Sequence, residues 1–138
     1  MSSSADGWKD PRFCFTLETW LPHFRTPPRV VVCLRSPEAF VHSTVNSYGL
    51  LPREKLEPWW ANHYRRILDV IRSYALEATC VVYEELVRQP EDTAAGLSSF
   101  VGRSLDTSYL EPALQHFAYQ VPRRHAELYE EVKALSSQ

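Results

Sequence analysis

Four glycines in 138 residues leave little room for a glycine-rich loop. Gly7, Gly49, Gly96 and Gly102 are scattered, and none stands between a strand-like run and a helical pattern with Lys-Ser or Lys-Thr beside it. This sequence therefore holds no loop of backbone N–H groups to cradle a phosphate at a helix N-terminus. Cysteine is scarce and odd in number: Cys14, Cys33 and Cys80. Two sit in β-type runs, so all three read as buried thiols of a reducing compartment, not as a disulfide framework or a zinc site. No apolar run approaches the ~20 residues of a membrane span. The opening MSSSADG lacks the apolar core of a signal peptide, and the expected location is the cytoplasm. Basic residues are not in excess, and the formal net charge is −2. Nucleic-acid binding through a general phosphate footprint is disfavoured, which leaves room for one local phosphate site.

What is present fits one domain, residues 8–138, after a disordered segment over 1–7. A chain of this size buries about 70% of its unfolded surface. Its organising stretch is RVVVCLRSPEAFVHSTVNS, residues 29–47. Val30 to Leu34 form a short β-branched run, the pattern of a strand covered on both faces. Arg35 follows at the strand's C-terminal end, where open α/β sheets bind ligands. Ser36 caps the next helix, and Pro37 takes its first position. Ser43 lies seven residues after Ser36, on the same helix face. An Arg at the strand end and a Ser on the helix suit a shared anion.

In chain order, Leu17, Trp20, Leu21 and Phe24 predict a helix over about 16–23. The strand at 29–34 and the helix at 37–48 follow. Trp60, Tyr64, Ile67, Val70, Ile71 and Tyr74 predict a long helix from about Pro58 to Leu76. TCVVY at 79–83 is a second buried strand, and the order strand–helices–strand implies a parallel crossover. A helical turn is expected at 84–89 and a helix at 90–101, with Gly102 as C-cap. A short helix is expected over 112–117 and a charged one over 121–137, with Ala126, Leu128, Val132 and Leu135 inward.

Three motifs in this order resemble those of sulfotransferases that use 3′-phosphoadenosine 5′-phosphosulfate (PAPS). Arg35-x7-Ser43 resembles the family's 3′-phosphate element. Lys9-Asp10-Pro11-Arg12 looks like its KDPR segment. VVYEELVRQPEDTAAGLSSFVGRSL, residues 81–105, is similar to its strand–Tyr-Glu–helix–FVG block. The resemblance runs from about Lys9 to Tyr119. It implies an α/β, partial P-loop-like sulfotransferase fold with a short parallel sheet flanked by helices, lacking the first strand and phosphate loop. It implies PAPS or 3′-phosphoadenosine 5′-phosphate as co-substrate, and no metal. Arg35 and Ser43 would bind the 3′-phosphate, while Tyr83 and Tyr119 would border adenine. Lys9 would stabilise the leaving phosphate, because sulfuryl transfer, like phosphoryl transfer, rests on positioning and oxyanion stabilisation. Arg12 would face the sulfate or order the loop.

The departures are equally specific. Cytosolic relatives carry a histidine two residues after the lysine, where this chain has Pro11. Asp10, Glu18 and His23 are the nearby candidates for a general base, and none is assigned. Phe117 replaces the small hydroxyl residue that follows the histidine corresponding to His116. Glu84 and Glu85 are expected to order a turn, and His42 and His63 to be structural. Trp59 and Trp60 are expected in the core or an acceptor-pocket wall, and Arg123, Arg124 and His125 on a solvated face. Two functions remain open. One is transfer of a sulfuryl group from PAPS to a hydroxyl or amine acceptor in a complete protein, with this chain carrying the 3′-phosphate half. The other is a non-catalytic protein-interaction domain derived from that fold, its incomplete sheet covered by a partner or a second copy.

Overall fold

Asp10-Pro11-Arg12 starts the first helix earlier than the apolar spacing predicts. In the computed structural model, which describes residues 7–48, 51–110 and 120–137, helix α1 runs Phe13–Trp20. Asp10 Oδ1 accepts the Arg12 backbone N–H at 2.8 Å, a turn that feeds the helix. Pro22 cannot donate to the carbonyl four residues back, so the α-helix stops and Leu21–His23 tighten into a 3₁₀ turn. The N-terminal segment expected to be disordered falls, apart from Gly7, outside the described residues.

Strand β1 is Val30–Leu34 and strand β2 is Ala78–Val82. They pair in parallel, Val30 with Ala78 through Leu34 with Val82, as the only sheet among the described residues. Between them lie α2, Pro37–Tyr48, and α3, Arg53–Ser73. After β2 come α4, Tyr83–Arg88, α5, Pro90–Val101, and α6, Arg123–Lys133, which ends in a 3₁₀ turn over Ala134–Ser137. The molecule is mixed α/β, with six α-helices among the described residues.

Four expectations need correction. β1 is not covered on both faces: Val32 and Leu34 are buried, while Val31 and Cys33 are exposed. Helix α5 packs on β2. Cys33 is thus not a buried thiol, although the surrounding protein still raises its pKa. Helix α3 begins at Arg53, not Pro58, because Pro52 serves as N-cap and the lone missing N–H of Pro58 is tolerated inside a long helix. It ends at Ser73, where Ala75 turns left-handed at φ 49°. Leu76 N–H then bonds Ile71 C=O and Ala75 N–H bonds Arg72 C=O, the pairing that ordinarily recruits glycine. Tyr74, expected on the apolar stripe, is exposed at this cap. Gly102 closes α5 at φ 73°, as expected. The helix expected over 112–117 lies outside the described residues.

The core forms on the other sheet face. Val32, Leu34, Cys80 and Val82 meet Trp60, Ile67, Leu68 and Ile71 of α3, with Leu128 and Val132 of α6 and Leu17 of α1 behind them. Fully burying each aliphatic side chain contributes about 1.5–3 kcal/mol. Arg123 and Arg124 are exposed, as expected of a solvated face, whereas His125 is half-buried and, with Arg124, pairs with Glu57. Arg124 Nε, 2.9 Å from Glu57 Oε2, and His125 Nε2, at 3.2 Å, join the starts of α3 and α6. The Arg124 guanidinium, then His125, hold the Glu57 carboxyl below its ordinary pKa. A lowered pKa adds stability above the unfolded-state value, and that gain disappears as pH falls through the folded-state value. Glu57→Gln is therefore expected to destabilise the protein by about 1 kcal/mol at pH 7. Urea titrations should show the gap between variant and parent narrowing as pH falls through and below the ordinary carboxylate range. A gap that persists there would remove the carboxylate from the clamp's energetics.

Candidate functional site at the strand ends

Leu34 and Val82 are the last paired residues, so Arg35 and Tyr83 leave the sheet side by side. The Arg35 guanidinium lies over the Tyr83 ring, 4.6 Å from its centroid. Such a contact contributes about 0.5–2 kcal/mol. Tyr83, expected to end the strand, instead opens α4.

A residue leaving a ladder must pair its backbone groups elsewhere. Helix α3 supplies the partners. Trp60 Nε1–H donates to Arg35 C=O at 2.8 Å. Tyr64 O–H donates to Cys33 C=O at 2.8 Å and accepts the Arg35 N–H at 3.2 Å. Burial pushes the Tyr64 pKa up, which keeps the phenol protonated as a donor. Trp60 and Tyr64 stand one helical turn apart, so one face of α3 grips the strand end.

Ser36 sits at the next step and is 2% exposed. Its Oγ accepts the Ala39 N–H at 3.3 Å, the expected cap of α2. Its N–H donates to Glu84 Oε1 at 2.9 Å. Glu84 lies in the first turn of α4, where a carboxylate complements the helix dipole. The junction of β1 with α2 is thus tied directly to the junction of β2 with α4. Arg35 Nε and Glu84 Oε2 are both buried and have no hydrogen-bond partner.

The other expected residues are placed unevenly. Ser43 is half-buried on α2, and its place in the helix sets it about 10 Å along the axis from Ser36. The side-chain partners of Arg35 are Tyr64, Trp60 and Tyr83, not Ser43. Lys9 is exposed, and its charge acts to lower the Cys33 pKa against the larger effect of burial, which sets it near β1. Arg12 is forked onto Asp10, with Nε at 3.0 Å from Oδ1 and Nη2 at 2.6 Å from Oδ2. This pair drops the Asp10 pKa to about 2. Glu18 pairs with Arg66, and His23 ends the 3₁₀ turn. Tyr119, His116 and Phe117 lie outside the described residues.

Sequence reasoning missed the polar ends of Trp60 and Tyr64 by assigning both to an apolar stripe. The available signal was their four-residue spacing, since a buried Trp N–H or Tyr O–H needs a partner. Glu84 was expected only to order its own turn. Trp60 is core, whereas Trp59 is exposed and packs against Phe40 and His63. His63 Nδ1 faces Trp59 C=O at 2.8 Å, a structural bond.

Among the described residues, no cluster of three His, Cys, Asp or Glu side chains could hold a metal ion, and no helix is long and apolar enough to cross a membrane. Comparison with known proteins found no match: no family model fits the chain, and no curated protein or solved structure aligns with it.

Proposed function

We propose that this chain carries the 3′-phosphate-binding half of a PAPS-dependent sulfotransferase. Arg35 holds the 3′-phosphate, Ser43 adds a donor, and Tyr83 and Tyr119 border adenine. Lys9 serves the sulfuryl end, and Arg12 orders the turn that carries Lys9. The observation that supports this reading is the Arg35 guanidinium. It stands at the C-terminal ends of two parallel strands, its backbone is fixed by Trp60 and Tyr64, and an aromatic ring lies beneath it. A planar fork of donors at such a point suits a phosphate dianion.

In this reading an acceptor hydroxyl or amine attacks sulfur in line. The S–O bond to the 5′-phosphate breaks, and 3′-phosphoadenosine 5′-phosphate leaves. This sequence holds no glycine-lysine loop for the 5′-phosphosulfate. That part of the donor site would come from a complete protein, and orientation of the sulfuryl group would come with it.

A second reading has its own observation. The face of β1 with Val31, 37% exposed, and Cys33 is open, as suits an interaction domain bound by a partner or a second copy. Thermal unfolding separates the two. Adenosine 3′,5′-bisphosphate at 100 times its Kd is expected to stabilise the chain by about 2.7 kcal/mol, and AMP at equal concentration much less. Indifference to both nucleotides, with self-association on size-exclusion chromatography, would favour the interaction domain.

A further inference from the structure

At the strand ends most polar groups find partners inside the protein. The Arg35 N–H and C=O, the Ser36 N–H and the Ser36 hydroxyl are all bonded. Two side-chain atoms are not: Arg35 Nε, a donor, and Glu84 Oε2, an acceptor. They carry opposite charge and belong to one junction, yet they do not bond each other. A buried polar group left open in an otherwise satisfied network calls for a partner from outside the chain, whether a water, an ion or a ligand.

The chemistry of that partner follows from the two atoms. Glu84 is fixed by Oε1 on the Ser36 N–H, so its open oxygen stays at the root of the Arg35 side chain. The Arg35 guanidinium rests on the Tyr83 ring, and no carboxylate pairs with it among the described residues. Arg35 calls for an anionic acceptor, and Glu84 calls for a donor. An inorganic anion without a proton meets only the first need. A phosphate ester on a sugar carbon, with a hydroxyl on the neighbouring carbon, meets both.

We propose that Glu84 is a specificity-determining residue: its Oε2 accepts a hydrogen bond from the ribose 2′-hydroxyl next to the 3′-phosphate held by Arg35. The site then selects 3′-phosphorylated ribonucleotides over their 2′-deoxy counterparts. This inference rests on the 3′-phosphate reading above, and its test separates the two.

Titration calorimetry on the chain would compare adenosine 3′,5′-bisphosphate, 2′-deoxyadenosine 3′,5′-bisphosphate and AMP. The ribose bisphosphate is expected to bind at least about tenfold more tightly than the deoxy form, the lower end for a hydrogen bond to a charged group. Glu84→Gln keeps the size and offers a carbonyl oxygen to the Ser36 N–H. It is expected to reduce the ribose-to-deoxyribose ratio below about threefold while keeping the preference for either bisphosphate over AMP. Equal binding of both bisphosphates to the parent chain, each better than AMP, overturns the role of Glu84 and leaves the 3′-phosphate reading intact. That comparison decides even if the variant fails to fold. An unchanged ratio in a folded Glu84→Gln also overturns it. Bisphosphates that bind no better than AMP overturn the 3′-phosphate reading and this inference together.

Discussion

Trp60→Ala is expected to cost about 3–5 kcal/mol, the range for losing a large buried aromatic side chain. Against a total stability of about 5–15 kcal/mol, that leaves the protein at the edge of unfolding. Trp60 is 1% exposed and packs on the rings of Tyr64 and His125, at 4.9 and 5.3 Å. It also donates to Arg35 C=O, so the substitution strands a backbone acceptor at the strand end. Tyr64→Phe removes one oxygen and keeps the ring. It is expected to cost less, about 1–3 kcal/mol, by unpairing the Arg35 N–H and the Cys33 C=O. Urea denaturation followed by circular dichroism ranks the two. A loss below 1 kcal/mol for Trp60→Ala would mean that α3 does not anchor the sheet as described.

Arg35→Ala is expected to weaken binding of adenosine 3′,5′-bisphosphate by about 1.5–3 kcal/mol, roughly a tenfold to hundredfold loss, as for a charged hydrogen bond. AMP lacks the 3′-phosphate and should bind nearly as before. Stability should fall only by the worth of the lost Tyr83 contact, about 0.5–2 kcal/mol, because Trp60 and Tyr64 bond the Arg35 backbone, which the substitution keeps. Ser43→Ala should act in the same direction and more weakly. Equal loss for both nucleotides would give Arg35 a different target, and no loss would remove it from the site.

The elements that were legible in the sequence are those with a local physical cause. Ser36-Pro37 and Gly102 mark helix ends by capping chemistry alone, and both ends fall where expected. The two β-branched runs announce the parallel pair. The failures come from long-range partners. Nothing near Arg124 or His125 in sequence points to Glu57, 67 and 68 residues away. Nothing near Val31 or Cys33 tells that one face of a wholly apolar strand stays open, because cover depends on which helices return to it. At the candidate site, Arg35 and Tyr83 were found as motif residues, and the structure sets them in contact. Trp60 and Tyr64 fall in the core as expected, but their polar bonds, and the reach of Glu84 to Ser36, were not legible because the partners are backbone groups, which look alike at every position of a sequence.

The pairing of β1 with β2 also bears on how fast this protein forms. Each residue of β1 meets one 48 positions later, with α2 and α3 in between. Closing so long a loop yields no strand–strand contact until the intervening helices have condensed, and such non-local pairing slows folding. The expected order is α3 with its apolar neighbours first and the sheet last. Val81→Ala should then mainly speed unfolding, whereas Ile67→Val, within α3, should mainly slow refolding. Stopped-flow chevrons of the two variants test this, and the opposite pattern would make the sheet the nucleus. A site built on late-forming strand ends is acquired only as the chain completes its fold, so ligand should act on the unfolding limb and leave the refolding rate nearly unchanged.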